Sequence, residues 1–87
     1  MIKDPKPISS PLSRKVTADG ITIDVEIYRF ENENFWRLEL VDEGWNATVY
    51  EDKFTTDQAA WDAFQQDLAS EGLIALLRTN GVPMTIH

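Results

Sequence analysis

The sequence contains no cysteine, and its one histidine, His87, is the last of 87 residues. A thiol nucleophile, a disulfide framework and a cysteine-based zinc site all require cysteine. A histidine-based triad or metal cluster requires imidazoles inside the fold. The composition therefore disfavours the common catalytic and metal-binding constellations, and we expect a protein that is not an enzyme and uses no cofactor.

Long apolar runs and basic charge are also scarce. No stretch approaches the roughly 20 apolar residues of a membrane span, and the first five residues are unlike a signal peptide. Eight Lys and Arg against fifteen Asp and Glu give a net charge of −7, and an acidic surface repels nucleic-acid phosphates. We therefore expect a small acidic cytoplasmic protein that binds neither a membrane nor, directly, nucleic acid.

The first eleven residues contain three of the four prolines. Because proline disfavours helix formation and strand pairing alike, residues 1–11 are predicted to be an extended arm. The folded domain is expected at residues 12–78, and residues 79–87 are expected to form a C-terminal tail.

Alternation of apolar and polar residues predicts β-strands throughout residues 12–50. Turns fix the register of these strands, because a slip of one residue would reverse every side chain. The predicted turns are Asp19-Gly20, a four-residue loop over residues 31–34, and Glu43-Gly44. Counting outward from them gives these opposed pairs: Val16 with Ile23, Leu12 with Ile27, Phe30 with Phe35, Ile27 with Leu38, and Leu40 with Ala47. Because the three turns agree on one apolar face, they predict a four-stranded antiparallel meander in the order 1-2-3-4.

A helix is predicted after the strands. Thr55 as N-cap and Gln58 at N3 fit a capping box, and Gly72 is suited to end the helix. One apolar stripe at helical spacing follows the cap: Ala60, Trp61, Phe64 and Leu68. Residues 73–77 would lie off this stripe, so we expect a break at Gly72 and then a short helical turn or an extended piece over the sheet edge. The predicted fold is α+β, a two-layer ββββα domain with the main helix on one sheet face.

The sheet face away from the helix is the predicted functional surface. Its candidate residues combine aromatic rings with charge: Glu26, Tyr28, Phe30, Phe35, Arg37, Glu39 and Tyr50. Tyr28, Arg37 and Tyr50 are expected in a row across three strands. Aromatic residues beside an arginine are typical of protein interfaces, although aromatic residues also favour plain strands. The expected partner is a protein, which includes a second copy of the chain in a homodimer.

Glu26 and Glu39 are expected to face each other on this surface. Paired carboxylates can share a proton or hold a hard cation, but nothing else at this position supplies a catalytic constellation. The simpler interpretation is a solvated pair that nearby basic residues balance. No metal site is predicted.

Two other functions are compatible with the sequence. The acidic residues of the body could imitate a nucleic-acid backbone and occlude the site of a basic protein, or the charge could serve solubility alone. A small-ligand-binding domain would need a pocket between the helix, the C-terminal segment and the sheet.

Three segments of the chain resemble small bacterial proteins of unknown function that combine a short β-meander with one helix. The segments are Phe30-Glu31-Asn32, Phe35-Trp36-Arg37-Leu38-Glu39-Leu40-Val41-Asp42-Glu43-Gly44 and Phe54-Thr55-Thr56-Asp57-Gln58-Ala59-Ala60. The last segment matches a Phe-x-Thr-Asp-x-x-Ala motif at the helix start. The resemblance covers about residues 20–72 and implies the fold and a bacterial cytoplasmic setting. It brings no catalytic residue with it.

Overall fold

The computed structural model describes residues 4–79. Five strands and two helices follow one another in this part of the chain: β1 (Pro7–Ser9), β2 (Arg14–Ala18), β3 (Ile21–Phe30), β4 (Arg37–Asp42), β5 (Ala47–Val49), α1 (Asp57–Glu71) and α2 (Leu73–Thr79). The strands form one antiparallel sheet in the order β1-β3-β4-β5, and β2 also pairs with β3. The α+β class is confirmed. The four-stranded meander in the order 1-2-3-4 is wrong, because the sheet has a fifth strand, β1, which pairs with β3 beside β2.

The additional strand, β1, comes from the proline-rich segment. Pro7 lies opposite Phe30 and Ser9 opposite Tyr28, at one end of β3, whereas β2 pairs with the other end. β1 is an edge strand, the position in a sheet that tolerates proline. Of the predicted arm, Pro7–Ser9 are therefore extended and paired, whereas Pro11 lies in a turn; its first three residues lie outside the described part of the chain.

A bulge over residues 10–13 separates β1 from β2. From Ser9 to Arg14 the chain takes five residue steps, while the facing stretch of β3 from Tyr28 to Val25 takes three. The hydroxyl of Ser13 bridges the gap, because it accepts a hydrogen bond from the Ile27 N–H at 3.0 Å and donates one to the Ile27 carbonyl at 3.1 Å. The predicted pairing of Leu12 with Ile27 is therefore wrong.

The two hairpins around β3 have the predicted register near their centres. Val16 lies opposite Ile23, and Ile27 lies opposite Leu38. The first turn has positive φ at Asp19 (55°) and Gly20 (76°), as a type I′ turn requires. The turn therefore fixes the register of the strands on both of its sides.

The predicted pair of Phe30 with Phe35 does not form. The Phe30 carbonyl accepts a hydrogen bond from the Glu33 N–H at 2.9 Å, and the Phe30 N–H donates to the Glu33 side chain at 3.2 Å. These bonds occupy the backbone groups of Phe30, and the Trp36 backbone pairs with Phe54 instead. β4 therefore begins only at Arg37.

The turn between β4 and β5 has three residues rather than two. The Asp42 carboxylate accepts hydrogen bonds at 2.9 Å from the backbone N–H groups of Gly44 and Asn46. Trp45 adopts a positive φ of 65°, which completes a type I turn followed by a left-handed residue. The register shifts by one residue, so that Leu40 lies opposite Thr48 and not opposite Ala47.

α1 begins one residue later than predicted. Thr56 is the N-cap, because its side chain accepts a hydrogen bond from the Ala59 N–H at 3.0 Å. The helix ends at Gly72 as predicted, with a φ of 84° there. The chain then turns into α2, whose first N–H, on Leu73, donates to the Asp19 carboxylate at 3.0 Å. The tip of the β2–β3 hairpin thus holds the start of α2.

The core lies between the helices and one face of the sheet. Its buried apolar residues come from β3, β4, the segment after β5 and both helices: Ile23, Val25, Ile27, Leu38, Leu40, Tyr50, Ala60, Phe64, Leu73 and Leu76. Within the described residues, neither α1 nor α2 is long and apolar enough to cross a membrane. Of the predicted tail, only Thr79 is described, as the last residue of α2.

Candidate functional site: the open face of the sheet

The open face is the side of the sheet that the helices do not cover. Because side chains alternate along a strand, the residues between the buried positions of β3 and β4 lie on this face. Five of the predicted site residues are placed there: Glu26, Tyr28, Phe30, Arg37 and Glu39. Phe35 lies at the end of the same face, in the loop before β4. The structure therefore brings six of the seven predicted residues to one surface.

Four of these residues form what we call the aromatic–arginine cluster: Tyr28, Phe30, Phe35 and Arg37. The Arg37 guanidinium carbon lies 5.5 Å from the ring centroid of Phe30 and 5.1 Å from that of Phe35. These distances are typical of cation–π contacts. The rings of Tyr28 and Phe30 meet edge to face at 6.0 Å. Arg37 is therefore held between two rings at one end of the face.

Glu33 fixes the guanidinium of Arg37 from the loop side. Two hydrogen bonds join them, from Nη2 to Oε2 at 2.6 Å and from Nε to Oε1 at 3.2 Å. The Arg37 guanidinium holds the pKa of the Glu33 carboxyl below its ordinary value. Lys53 adds a second cation to the cluster, with Nζ 5.0 Å from the centroid of the Phe35 ring. Glu33 and Lys53 were not among the predicted site residues, although Glu33 and Arg37 have opposite charges and lie only four residues apart in the sequence.

Glu26 and Glu39 lie directly opposite each other near the middle of β3 and β4, as predicted. The Tyr28 hydroxyl donates a hydrogen bond to Oε1 of Glu39 at 3.2 Å. Burial of the phenol, followed by the negative charge of Glu39, raises the pKa of Tyr28 above its ordinary value. Tyr28 therefore keeps its proton and holds one carboxylate in place.

The two carboxylates line a shallow depression of about 340 Å³, whose other walls are Pro7, Ser9 and Tyr28. Among the described side chains, no Lys or Arg forms an ion pair with either glutamate. Within residues 4–79, His, Cys, Asp and Glu form no group of three or more that could hold a metal ion. Neither glutamate is therefore in a direct ion pair with a described basic residue, and balancing by the nearby Lys15 and Arg37 stays a prediction.

Tyr50 is the predicted site residue that the structure places elsewhere. The register shift between β4 and β5 turns it toward the helices, where it is 8% exposed. Its hydroxyl donates to Oδ2 of Asp67 in α1 at 3.0 Å, and burial raises the pKa of the phenol well above its ordinary value. The predicted row across three strands is wrong: Tyr28 and Arg37 lie opposite each other, without Tyr50.

The three-residue turn between β4 and β5 leaves Trp45 exposed to solvent. Its side chain is 84% exposed and borders a second depression of about 290 Å³ beside Val41 and Asp42. In the sequence, the residue that indicated the three-residue turn was Asp42, because aspartate is a favoured first residue of a type I turn. Gly44 suggested a two-residue turn more strongly, because glycine is the usual left-handed residue.

No protein-family model, curated protein or solved structure matches the chain. The resemblance to small bacterial proteins stays a prediction. Function has to be inferred from the geometry of this chain.

Proposed function

We propose that the chain is a non-enzymatic protein-interaction module that binds its partner with the open face of the sheet. The aromatic–arginine cluster carries the proposal. Tyrosine, phenylalanine and arginine are enriched in protein interfaces, and tyrosine and arginine dominate binding hot spots. A bacterial cytoplasmic setting belongs to the same proposal and is supported by the sequence resemblance alone.

The cluster is already ordered before any partner arrives. Arg37 is held by two hydrogen bonds to Glu33 and by two rings. An immobilised side chain loses little further rotamer freedom on binding, and this loss is a principal cost of association. The open face therefore presents large apolar and cationic groups in a fixed arrangement.

A selection from a random peptide library displayed on phage tests the proposal. Peptides enriched on the wild-type protein are synthesised, and their dissociation constants are measured by fluorescence anisotropy. Arg37→Ala removes the central side chain of the cluster, and we expect it to weaken binding about tenfold or more, as the loss of a hot spot does.

Arg14→Ala is the matched control. Arg14 also contacts an aromatic ring, with its guanidinium carbon 4.9 Å from the centroid of Trp61, but it lies on the helix side of the sheet. We expect this variant to bind the peptides as the wild type does. Equal binding by Arg37→Ala, or a selection that enriches no peptide over an unrelated protein, would reject the open face as the binding surface.

Sedimentation equilibrium decides whether the partner is a second copy. If the partner is this chain, the wild type is a dimer and Arg37→Ala shifts it toward the monomer. A wild type that stays monomeric at high concentration assigns the face to a different protein.

A further inference from the structure

We propose that the depression between Glu26, Glu39 and Tyr28 receives the guanidinium of an arginine side chain of the partner. This inference rests on the proposed function, because it names the chemistry that the partner presents to the same face. Three features of the depression support it: its unmatched charge, its shape and its aromatic wall.

The charge pattern of the open face points to a missing cation. Lys15 pairs with Asp24 at 2.9 Å and Arg37 pairs with Glu33 at 2.6 Å, while the third cation of this face, Lys53, lies over the Phe35 ring. Glu26 and Glu39 have no cationic partner among the described side chains. Like charges directly opposite each other destabilise a sheet, so a cation placed between these two carboxylates relieves a repulsion that the fold otherwise sustains.

The size and the groups of the depression suit one organic cation. Its volume of about 340 Å³ is at the lower end of the roughly 300–1,000 Å³ of small-ligand sites, which leaves room for one long side chain. Two carboxylates offer four acceptor oxygens, and a planar guanidinium with five N–H donors can use them.

The aromatic wall distinguishes an organic cation from a metal ion. Tyr28 lines the depression beside the two carboxylates, and a guanidinium stacks favourably on an aromatic ring. A metal ion would need further oxygen ligands, and no third acidic residue, histidine or cysteine of the described chain joins the pair. The depression therefore has the groups that recognise arginine.

Nuclear magnetic resonance titration with two capped tripeptides tests the inference. The first is glycine-arginine-glycine, and the second carries citrulline, the neutral isostere, in the middle. We expect the arginine peptide to shift the backbone amide signals of Glu26, Tyr28 and Glu39, and the citrulline peptide to leave them in place. Equal shifts with both peptides would overturn the inference. A lysine tripeptide that binds as tightly as the arginine peptide would overturn the assignment of a guanidinium.

Two double variants with the same change in net charge complete the experiment. Glu26→Gln with Glu39→Gln keeps the shape of the depression but removes its charge, and we expect affinity for the arginine peptide to fall about tenfold. Glu51→Gln with Glu71→Gln removes two exposed carboxylates elsewhere and should leave the affinity unchanged. Equal losses in both variants would mean that only the overall charge attracts the peptide, and the site would be rejected.

The result separates this inference from the proposed function. If library-selected peptides lose affinity with Arg37→Ala but not with Glu26→Gln and Glu39→Gln, the interaction surface stands and the arginine site is wrong. If the arginine peptide binds the depression while Arg37→Ala leaves the selected peptides unaffected, the aromatic–arginine cluster is not the binding surface.

Discussion

The two faces of the sheet differ sharply although their residues alternate along the same strands. Five side chains of β3 and β4 that point toward the helices are at most 1% exposed: Ile23, Val25, Ile27, Leu38 and Leu40. The side chains between them are charged, aromatic or partly exposed. The covered face therefore supplies most of the burial that stabilises the fold, while the open face carries the charged and aromatic groups on which the proposed function rests.

This division explains how the sheet sustains an unfavourable pair. Like charges directly opposite each other destabilise a sheet, and Glu26 and Glu39 occupy such opposed positions. The packed face opposite them holds the strands together, so the open face can retain two like charges at opposed positions. Violations of a local rule are expected at functional surfaces.

Phenylalanine truncation on each face is expected to give the largest contrast. Phe64 is fully buried in α1, and Phe64→Ala should lower the free energy of unfolding by about 3–5 kcal/mol because it leaves a cavity. Phe35→Ala on the open face loses cation–π contacts and should cost about 1 kcal/mol or less. Urea unfolding measures both. If Phe64→Ala does not fold, Phe64→Leu, which should cost about 1 kcal/mol, replaces it.

The contrast would fail if Phe35→Ala cost as much as Phe64→Ala. The open face would then be a second source of stability, and its aromatic residues would need no partner to explain them.

The two tyrosines provide a finer comparison, because each donates one hydrogen bond to a carboxylate on its own face. Tyr50→Phe removes the bond to Asp67 at the helix and should cost about 1 kcal/mol. Tyr28→Phe removes the longer bond to Glu39 on the open face, and we expect a cost of about 0.5 kcal/mol. A larger loss from Tyr28→Phe, measured by urea unfolding, would contradict this order.

Alkaline pH tests the same pair of residues. The pKa of Tyr50 is raised by burial and by the Asp67 carboxylate, so the native state holds the phenol proton more tightly than the unfolded chain does. The tighter binding of this proton therefore adds to the free energy of unfolding. The added stability is complete below the pKa of the unfolded chain, about 10, and is lost as the pH rises beyond it. The stability of the wild type should therefore fall more steeply above that pH than the stability of Tyr50→Phe. Phenolate absorbance should show Tyr28 ionising before Tyr50.

The sequence was sufficient to predict the strands around β3 because their register depends on local patterns. Alternation over Ile21–Phe30 and the left-handed preference of Asp19-Gly20 act within one hairpin, and both agree with the packing of the core. The end of α1 at Gly72 is equally local, since a positive φ there favours glycine. Six of the seven candidate residues therefore lie on the open face, as the alternation predicts.

The errors arose where a side chain or a distant segment competed with the local pattern. The Asp42 carboxylate binds two backbone N–H groups and stabilises a three-residue turn that puts Trp45 at positive φ. The alternation of apolar and polar residues takes no account of those hydrogen bonds. It therefore predicted Tyr50 on the wrong face of the sheet. The pairing of Pro7–Ser9 with β3 depends on the bulge that Ser13 fills, and this contact joins residues far apart in the sequence.

The smallest expected effect concerns the stability cost of the opposed carboxylates. Glu26→Gln removes the repulsion across β3 and β4, and we expect it to raise the free energy of unfolding by about 0.5 kcal/mol at low salt. Glu51→Gln, an exposed change with the same effect on net charge, measures the general benefit of reducing the −7 charge. The difference between the two variants, from urea unfolding, should disappear at high salt, where exposed charges are screened. If Glu26→Gln is no more stable than Glu51→Gln at low salt, the pair imposes no strain on the sheet, and relief of repulsion cannot contribute to binding a cation.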